Sequence, residues 1–598
     1  MADDEDDKHR KYIEKPADIT KSKENIVKEI QLLDWEDDRE HFSSRFYYIL
    51  SMIQICLSFH GIFGCPLASL NHGGIAFFIP YTLFTFILGY PIHFMESSLG
   101  QYSQLGPVKV WNCVPLARGI GISCIFLCLI VAFYNNAYAI YAVMYFSRCF
   151  DTVLPWSDCD EPEYKNITCV PRMGYLHKDQ YSPSQHYFYD HVLQLDLTQH
   201  IGHYHFGRFI WQQALAFVYS WFVVYIGVFQ NIKSLERILP IFIGVPLFSL
   251  LVLFSIGCQL HGAFHGFKLL FSASNFVHLG RISTWCKAAE MVIIQLGIAQ
   301  GTLITYGSYA YHRNKTHKDS MRIVYTNYAI SIGSTCIVWL FLGSLSTERG
   351  ALQNHYEFGD FSYVFVVFPE VLSKLSGVRL WSIILFLLIF FSCINSQIAL
   401  IQTIACSIYD QFPQVLELRC ILNLALCMLF ASLGVLLCSS TGWLLLQPFF
   451  EIPNVVSRIP IASFTVAVIV LIYGINKYCE DLHFLINYYP SFLMRLLFYV
   501  APFLMLGLHL GTNWRLFAPF SDGDFSPFKF LLYLILIWKP IGFLYWVLRS
   551  AINGELRDCW RSLETWGPGN EKARLARAYF SSESRVTLSM PWRKRLHY

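Results

Sequence analysis

Between Ser58 and Pro66 an otherwise apolar segment carries Gly61, Gly64 and Pro66, and it is followed by Asn71-His72-Gly73-Gly74 and a second apolar run from Ile75 to Tyr90. The flanks are apolar enough for lipid, yet glycine and proline interrupt helical hydrogen bonding partway along. A backbone amide or carbonyl released at bilayer depth finds no water. Such a break is tolerated only where protein buries it or where it lines a polar cavity. The segment therefore reads as a membrane helix broken at a cavity.

The rest of the chain agrees with a membrane setting. Hydrophobic residues make up 54% and charged residues 15% of the 598 positions, a balance that excludes an ordinary soluble enzyme. Apolar windows long enough to cross roughly 30 Å of hydrocarbon recur from residue 44 to residue 549. About twelve spans follow, near 44–70, 74–98, 120–148, 209–230, 235–260, 285–311, 320–345, 379–410, 419–438, 444–477, 489–512 and 527–549. No cleavable leader pattern precedes them, so the first span is expected to stay in the membrane. An even number places both termini on one side. Lys109 and Arg118, then Arg313, Lys315, Lys318 and Arg322, then the basic residues of the tail make that side the cytosol.

The longest exterior connection, 150–208, contains Cys159 and Cys169 around Asn166-Ile167-Thr168. An oxidising exterior permits a Cys159–Cys169 disulfide, and Asn166 is a glycosylation acceptor. Most other cysteines fall within spans and read as small packing residues. A second interruption occurs in the sixth span, where Gln295-Leu296-Gly297-Ile298-Ala299-Gln300-Gly301 sets two amides and two glycines among apolar residues. Matched irregular spans in two halves are the sequence sign of an inverted repeat with a binding site between the halves. The expected architecture is an all-α membrane protein with two inverted five-helix repeats, 44–260 and 261–477, broken in their first and sixth helices. Two further helices over 478–549 and cytosolic segments 1–43 and 550–598 complete it.

The segments Asn71 to Tyr81, Gly89-Tyr90-Pro91, Glu96 through Leu99-Gly100-Gln101-Tyr102, Pro155-Trp156, Tyr306-Gly307-Ser308-Tyr309 and Tyr473-Gly474-Ile475-Asn476-Lys477 are similar in order and spacing to the neurotransmitter:sodium symporter family. The resemblance runs from about residue 35 to 549. It implies a substrate site halfway across the membrane, sodium coupling and, in many members, chloride dependence. It places an inner gate at Arg39 and Asp410, braced by Ser308 and Tyr309, and leaves Glu451 as the acid of an outer gate whose arginine is replaced by Gly64. Either another cation replaces that arginine or the outer vestibule closes by packing. One sodium site is kept in residue type, with the carbonyls of Gln54 and Leu57 facing Ser392, Asn395 and Ser396. The other is altered: Cys56, Gly61, Gln295 and Asn327 stand there, and Gly61 removes a side-chain oxygen. For chloride the resemblance assigns Tyr81, Gln295, Asn327 and Ser331, with Gln295 donating through its amide and Glu290 as a fixed charge if it turns inward.

Ser58, His60, Tyr134, Gln295 and Gln300 are the substrate-binding candidates. Ser58 offers a cationic amine no counter-charge, which favours an amino acid or zwitterionic osmolyte over a monoamine. His60 at midplane depth raises proton coupling as a second possibility. The expected function is sodium-coupled symport of a small organic solute across the plasma membrane by alternating access, with a transport-deficient receptor or scaffold as the alternative. No metal cluster, phosphate loop or nucleophile–base motif argues for an enzyme, and scattered basic residues argue against nucleic acid.

Overall fold

The structure is a computed structural model of the chain; it describes residues 39–159, 182–195, 207–312, 314–349, 360–444, 446, 458–513, 548, 551–552, 554, 558–570, 573–574 and 577. These residues build a helical bundle whose regular elements are α1 (Arg45–Cys56), α2 (Phe59–Asn71), α3 (Ile75–Ser103), α4 (Pro115–Arg148), α5 (Trp211–Val228), α6 (Ile232–Gln259), α7 (Ala263–Leu270), α8 (Ile282–Gln295), α9 (Thr302–Ser308), α10 (Thr316–Arg349), α11 (Ser362–Leu372), α12 (Val378–Gln411), α13 (Pro413–Leu437), α14 (Arg458–Ile486) and α15 (Phe492–Asn513). Among the described residues nine helices are long and apolar enough to cross a membrane, and the pair α1 and α2, bent by 44°, makes a tenth span. The sixth expected span is divided into α8 and α9, each too short to cross alone. The expected span 527–549 lies outside the described residues.

The apolar pattern sorts these helices into a centre and a rim. α3, α10 and α12 are largely covered by other helices, whereas α6 and α15 present much of their length outward. Phe222 on α5, Phe248 and Leu251 on α6, Met428 on α13 and Phe503 on α15 are exposed large apolar side chains, as a lipid-facing surface requires. At the centre, α2 and α10 pack together, α12 packs against both halves of the broken first helix, and α8 packs against α2 and α3. The breaks are therefore enclosed by protein, the condition under which irregular backbone survives at membrane depth.

The short helix α11 was not foreseen from hydropathy, because eleven residues are too few to read as a span. It lies over the upper part of the broken helix: Tyr363 donates from its hydroxyl to the Phe63 carbonyl at 2.8 Å, and the Phe63 and Phe368 rings meet edge to face. On the opposite side, part of the C-terminal segment docks onto the bundle. The Leu563 amide donates to the Asn112 carbonyl at 3.0 Å, and the Arg577 Nε donates to Asp481 Oδ1 at 2.7 Å.

Candidate functional site

The first break is made by Leu57 and Ser58. Ser58 is an extended residue whose Oγ accepts from the Gly61 amide at 3.0 Å, so its hydroxyl caps the start of α2. This gives Ser58 a concrete role in holding the break open. Gly61 is required by space: a Cβ there would stand 2.1 Å from the Cys56 carbonyl oxygen. His60, beside it, is buried with its ring edge to face against Phe361 at 5.2 Å, Tyr138 at 5.6 Å and Tyr134 at 6.3 Å. Phe59 stacks on Tyr138 at 4.4 Å and leans on Phe361 at 5.1 Å. The structure thus gathers three substrate-site candidates, Ser58, His60 and Tyr134, around one break, under an aromatic cover.

The second break relies on backbone conformations that glycine supplies easily. Gly297 and Gly301 have φ of 66° and 82°, and Ala299 between them has φ of 62°. The strained Ala299 amide donates to Glu96 Oε1 at 3.0 Å, and the Gln300 carbonyl accepts from the Cys128 thiol at 2.9 Å. Glu96 is a fully buried carboxylate that ties α3 to the break. Its role was missed, although the residue stands in the motif that carries the resemblance.

Gln295 ends α8 and points the opposite way from expectation. Its Nε2 donates to the Gly61 carbonyl at 3.0 Å, and its Oε1 accepts from the Tyr81 hydroxyl at 2.5 Å and from the Ser331 hydroxyl at 3.1 Å. Because the Gly61 carbonyl can only accept, the amide nitrogen must face it and the oxygen must face the two hydroxyls. The Tyr81 and Ser331 hydroxyl oxygens lie 2.9 Å apart, closing a triangle. An amide donor aimed at an anion, and an amide oxygen aimed at a cation, are both replaced by this arrangement. Glu290 does not turn toward the triangle; it pairs with Lys287 at 3.0 Å. Asn327 is buried nearby on α10, and both its amide atoms lack hydrogen-bond partners among the described residues.

On α12, Asn395 donates from Nδ2 to the Phe242 carbonyl at 2.8 Å, which leaves Oδ1 a buried oxygen with no hydrogen-bond partner among the described residues. Ser396 donates to the Cys393 carbonyl at 3.0 Å and accepts from Asn135 at 2.9 Å, while Ser392 donates to Ile389. Gln54, on the facing helix α1, is buried and its side-chain amide also lacks partners among the described residues.

Toward the other end, Arg39 Nη1 lies 3.0 Å from Asp410 Oδ1, and its guanidinium covers the Tyr309 ring at 4.5 Å. The Arg39 Nη1 also donates to the Gln104 carbonyl, and the Gly106 amide donates to Asp410. Ser308 is buried one residue from this cluster, its hydroxyl donating to the Thr305 carbonyl. Arg45 adds a two-pronged contact to the buried Asp319. Cys159 is disulfide-bonded, while its expected partner Cys169, the acceptor Asn166 and the acid Glu451 lie outside the described residues.

Sequence reasoning also missed Arg458. It opens α14, is 3% exposed, and its Nε and Nη1 have no hydrogen-bond partner among the described residues. A single basic residue inside an apolar window was the signal available.

Two broken helices buried back to back in a multi-pass helical bundle, with a charge cluster sealing one end, define a membrane carrier with a central site. The chain belongs to the Sodium:neurotransmitter symporter family, which its sequence matches over residues 39–524. It is therefore a sodium-coupled symporter of a small-molecule solute. It is 27% identical over 590 residues to a sodium- and chloride-dependent neutral and basic amino acid transporter B(0+) of Homo sapiens, covering 90% of this chain and 91% of that relative. It is 26% identical over 555 residues to a sodium- and chloride-dependent glycine transporter 2 of Xenopus laevis, covering 85% and 69% respectively.

Proposed function

We propose that the chain carries a neutral amino acid or similar zwitterion with sodium across the plasma membrane by alternating access, with both termini cytosolic and the glycosylated, Cys159–Cys169-bridged loop outside. The names of the relatives support the substrate class. The observation that carries the coupling is the Asn395 amide: its nitrogen is held by Phe242, so its oxygen stays turned away as a buried acceptor without a partner among the described residues. A hard cation closes such a site with carbonyls of the first break and the hydroxyls of Ser392 and Ser396. Arg39 and Asp410, covered by Tyr309, act as the inner gate.

Gln295 supports a reading of the ion stoichiometry. Its oxygen already satisfies Tyr81 and Ser331, and its amide already satisfies the Gly61 carbonyl, so the chloride site and the first sodium site are each served by one end of a neutral amide. This arrangement favours one sodium per cycle and no chloride requirement.

The test is uptake of radiolabelled neutral amino acids by cells expressing the chain at the surface, with sodium replaced in one arm. Asn395→Ala and Ser396→Ala are expected to raise the half-saturating sodium concentration about tenfold or more, the loss of one good ligand each. Unchanged sodium activation in both variants would refute the assignment. No uptake at all despite surface expression would favour a receptor or scaffold.

A further inference from the structure

Arg458 is a full positive charge placed where a membrane protein can least accommodate one without purpose. The first turns of α14 pack against α4, α3 and α8, the helices that carry Tyr134, Glu96 and the approach to the second break. The guanidinium is within electrostatic reach of Tyr134, Cys128, Glu96 and Cys124, and it also bears on His60. His60 belongs to the first break, and Glu96 and Cys128 bond to Ala299 and Gln300 of the second, so the surroundings of Arg458 touch both breaks. Glu96 is the carboxylate among those neighbours, yet its oxygens are directed at the Ala299 amide. Among the described residues neither Nε nor Nη1 of Arg458 donates to it.

A buried arginine whose Nε and Nη1 have no partner among the described residues is costly, and such residues mark ligand pathways in membrane proteins. The ligand chemistry is set by what surrounds it. Guanidinium presents a planar fork of N–H donors that matches a carboxylate two oxygens at a time. Tyr134 adds a hydroxyl, while His60 and Cys128 add no negative charge to compete.

We propose that Arg458 anchors the carboxylate of the transported solute, with Tyr134 as the second donor. This rests on the reading of the chain as a solute symporter and sharpens it: a carboxylate becomes obligatory in the substrate, and amines or alcohols without one are rejected. It also assigns to a protein cation the neutralisation of the carboxylate, beside a first sodium site into which Gln295 places its amide nitrogen.

The test uses the purified full chain in detergent with sodium sulfate, following thermal unfolding with glycine betaine, alanine, choline or sodium chloride added, for the wild type, Arg458→Lys and Arg458→Gln. The wild type is expected to be stabilised by betaine and alanine and unaffected by choline, which differs from betaine in lacking the carboxylate. Arg458→Gln abolishes the shift. Arg458→Lys retains it at about tenfold higher ligand concentration, since a point charge replaces a fork; this variant keeps the test informative if the Gln variant fails to fold. Choline acting as well as betaine, a wild type that no carboxylate stabilises, a shift produced by chloride alone, or a carboxylate shift surviving in Arg458→Gln would each overturn the proposal. Sodium-driven alanine uptake by the same proteins reconstituted into proteoliposomes separates the two readings. Uptake that survives in Arg458→Gln removes the anchor and leaves the symporter. A carboxylate shift that requires Arg458, without any uptake, supports the anchor and counts against transport.

Discussion

Gln295 has two chemically opposite ends, and the fold uses both. The residue type was legible in the sequence, but its direction was not, because an amide is donor and acceptor at once. Only the neighbourhood of a carbonyl that can solely accept, at Gly61, and two hydroxyls that can donate, at Tyr81 and Ser331, decides which end goes where. The consequence is testable in the ion dependence. Replacing chloride by gluconate is expected to leave sodium-driven uptake by the wild type unchanged. Gln295→Ser removes the oxygen that Tyr81 and Ser331 both address, so uptake by that variant is expected to become chloride-dependent. Strong chloride dependence in the wild type would contradict the surrogate role of the amide. Arg458 illustrates the opposite difficulty. A lone arginine in an apolar window has no spacing to mark it, and the packing of the first turns of α14 on α15, α4, α8 and α3 is tertiary.

At the scale of elements, the breaks were legible because their causes are local. Gly61 and Pro66 in one apolar run, and Gly297 and Gly301 in another, interrupt helices wherever they occur. What the pattern did not reveal is the reason each glycine is needed. Gly61 is held by close approach, with the Cys56 carbonyl occupying the place of a side chain, and Gly297 and Gly301 by positive φ. Gly61→Ala is therefore expected to destabilise the protein by about 1–3 kcal/mol, as overpacking of a filled site does. Thermal unfolding of the detergent-purified variant should show a lowered midpoint, whereas Gly64→Ala, whose Cβ would meet only the Met291 sulfur at 3.4 Å, should not. Equal midpoints for Gly61→Ala and the wild type would show that the α1–α2 break yields more easily than its geometry implies. The inner cluster was legible for another reason: the resemblance to the family, not the spacing of the charges, paired Arg39 with Asp410. α11 escaped notice because it is short; its N-cap Phe361 covers His60 together with Tyr138.

For the whole molecule, the described arrangement is closed at the Arg39 end by a charge cluster and over the first break by aromatic packing. The tail, expected to be a charged appendage, instead joins the closed end through Arg577 and Asp481, and Trp566 donates to the Tyr473 hydroxyl at 2.9 Å. A carrier closed in this way moves solute only by opening each end in turn, and the sodium gradient must supply the direction. The most direct measurement is uptake of radiolabelled alanine into proteoliposomes containing the purified chain, with and without an inward sodium gradient. The account predicts a transient accumulation above the equilibrium level that appears only with the gradient and is lost in Asn395→Ala. Filling to the same equilibrium level at the same rate, whether or not sodium is graded, would contradict it.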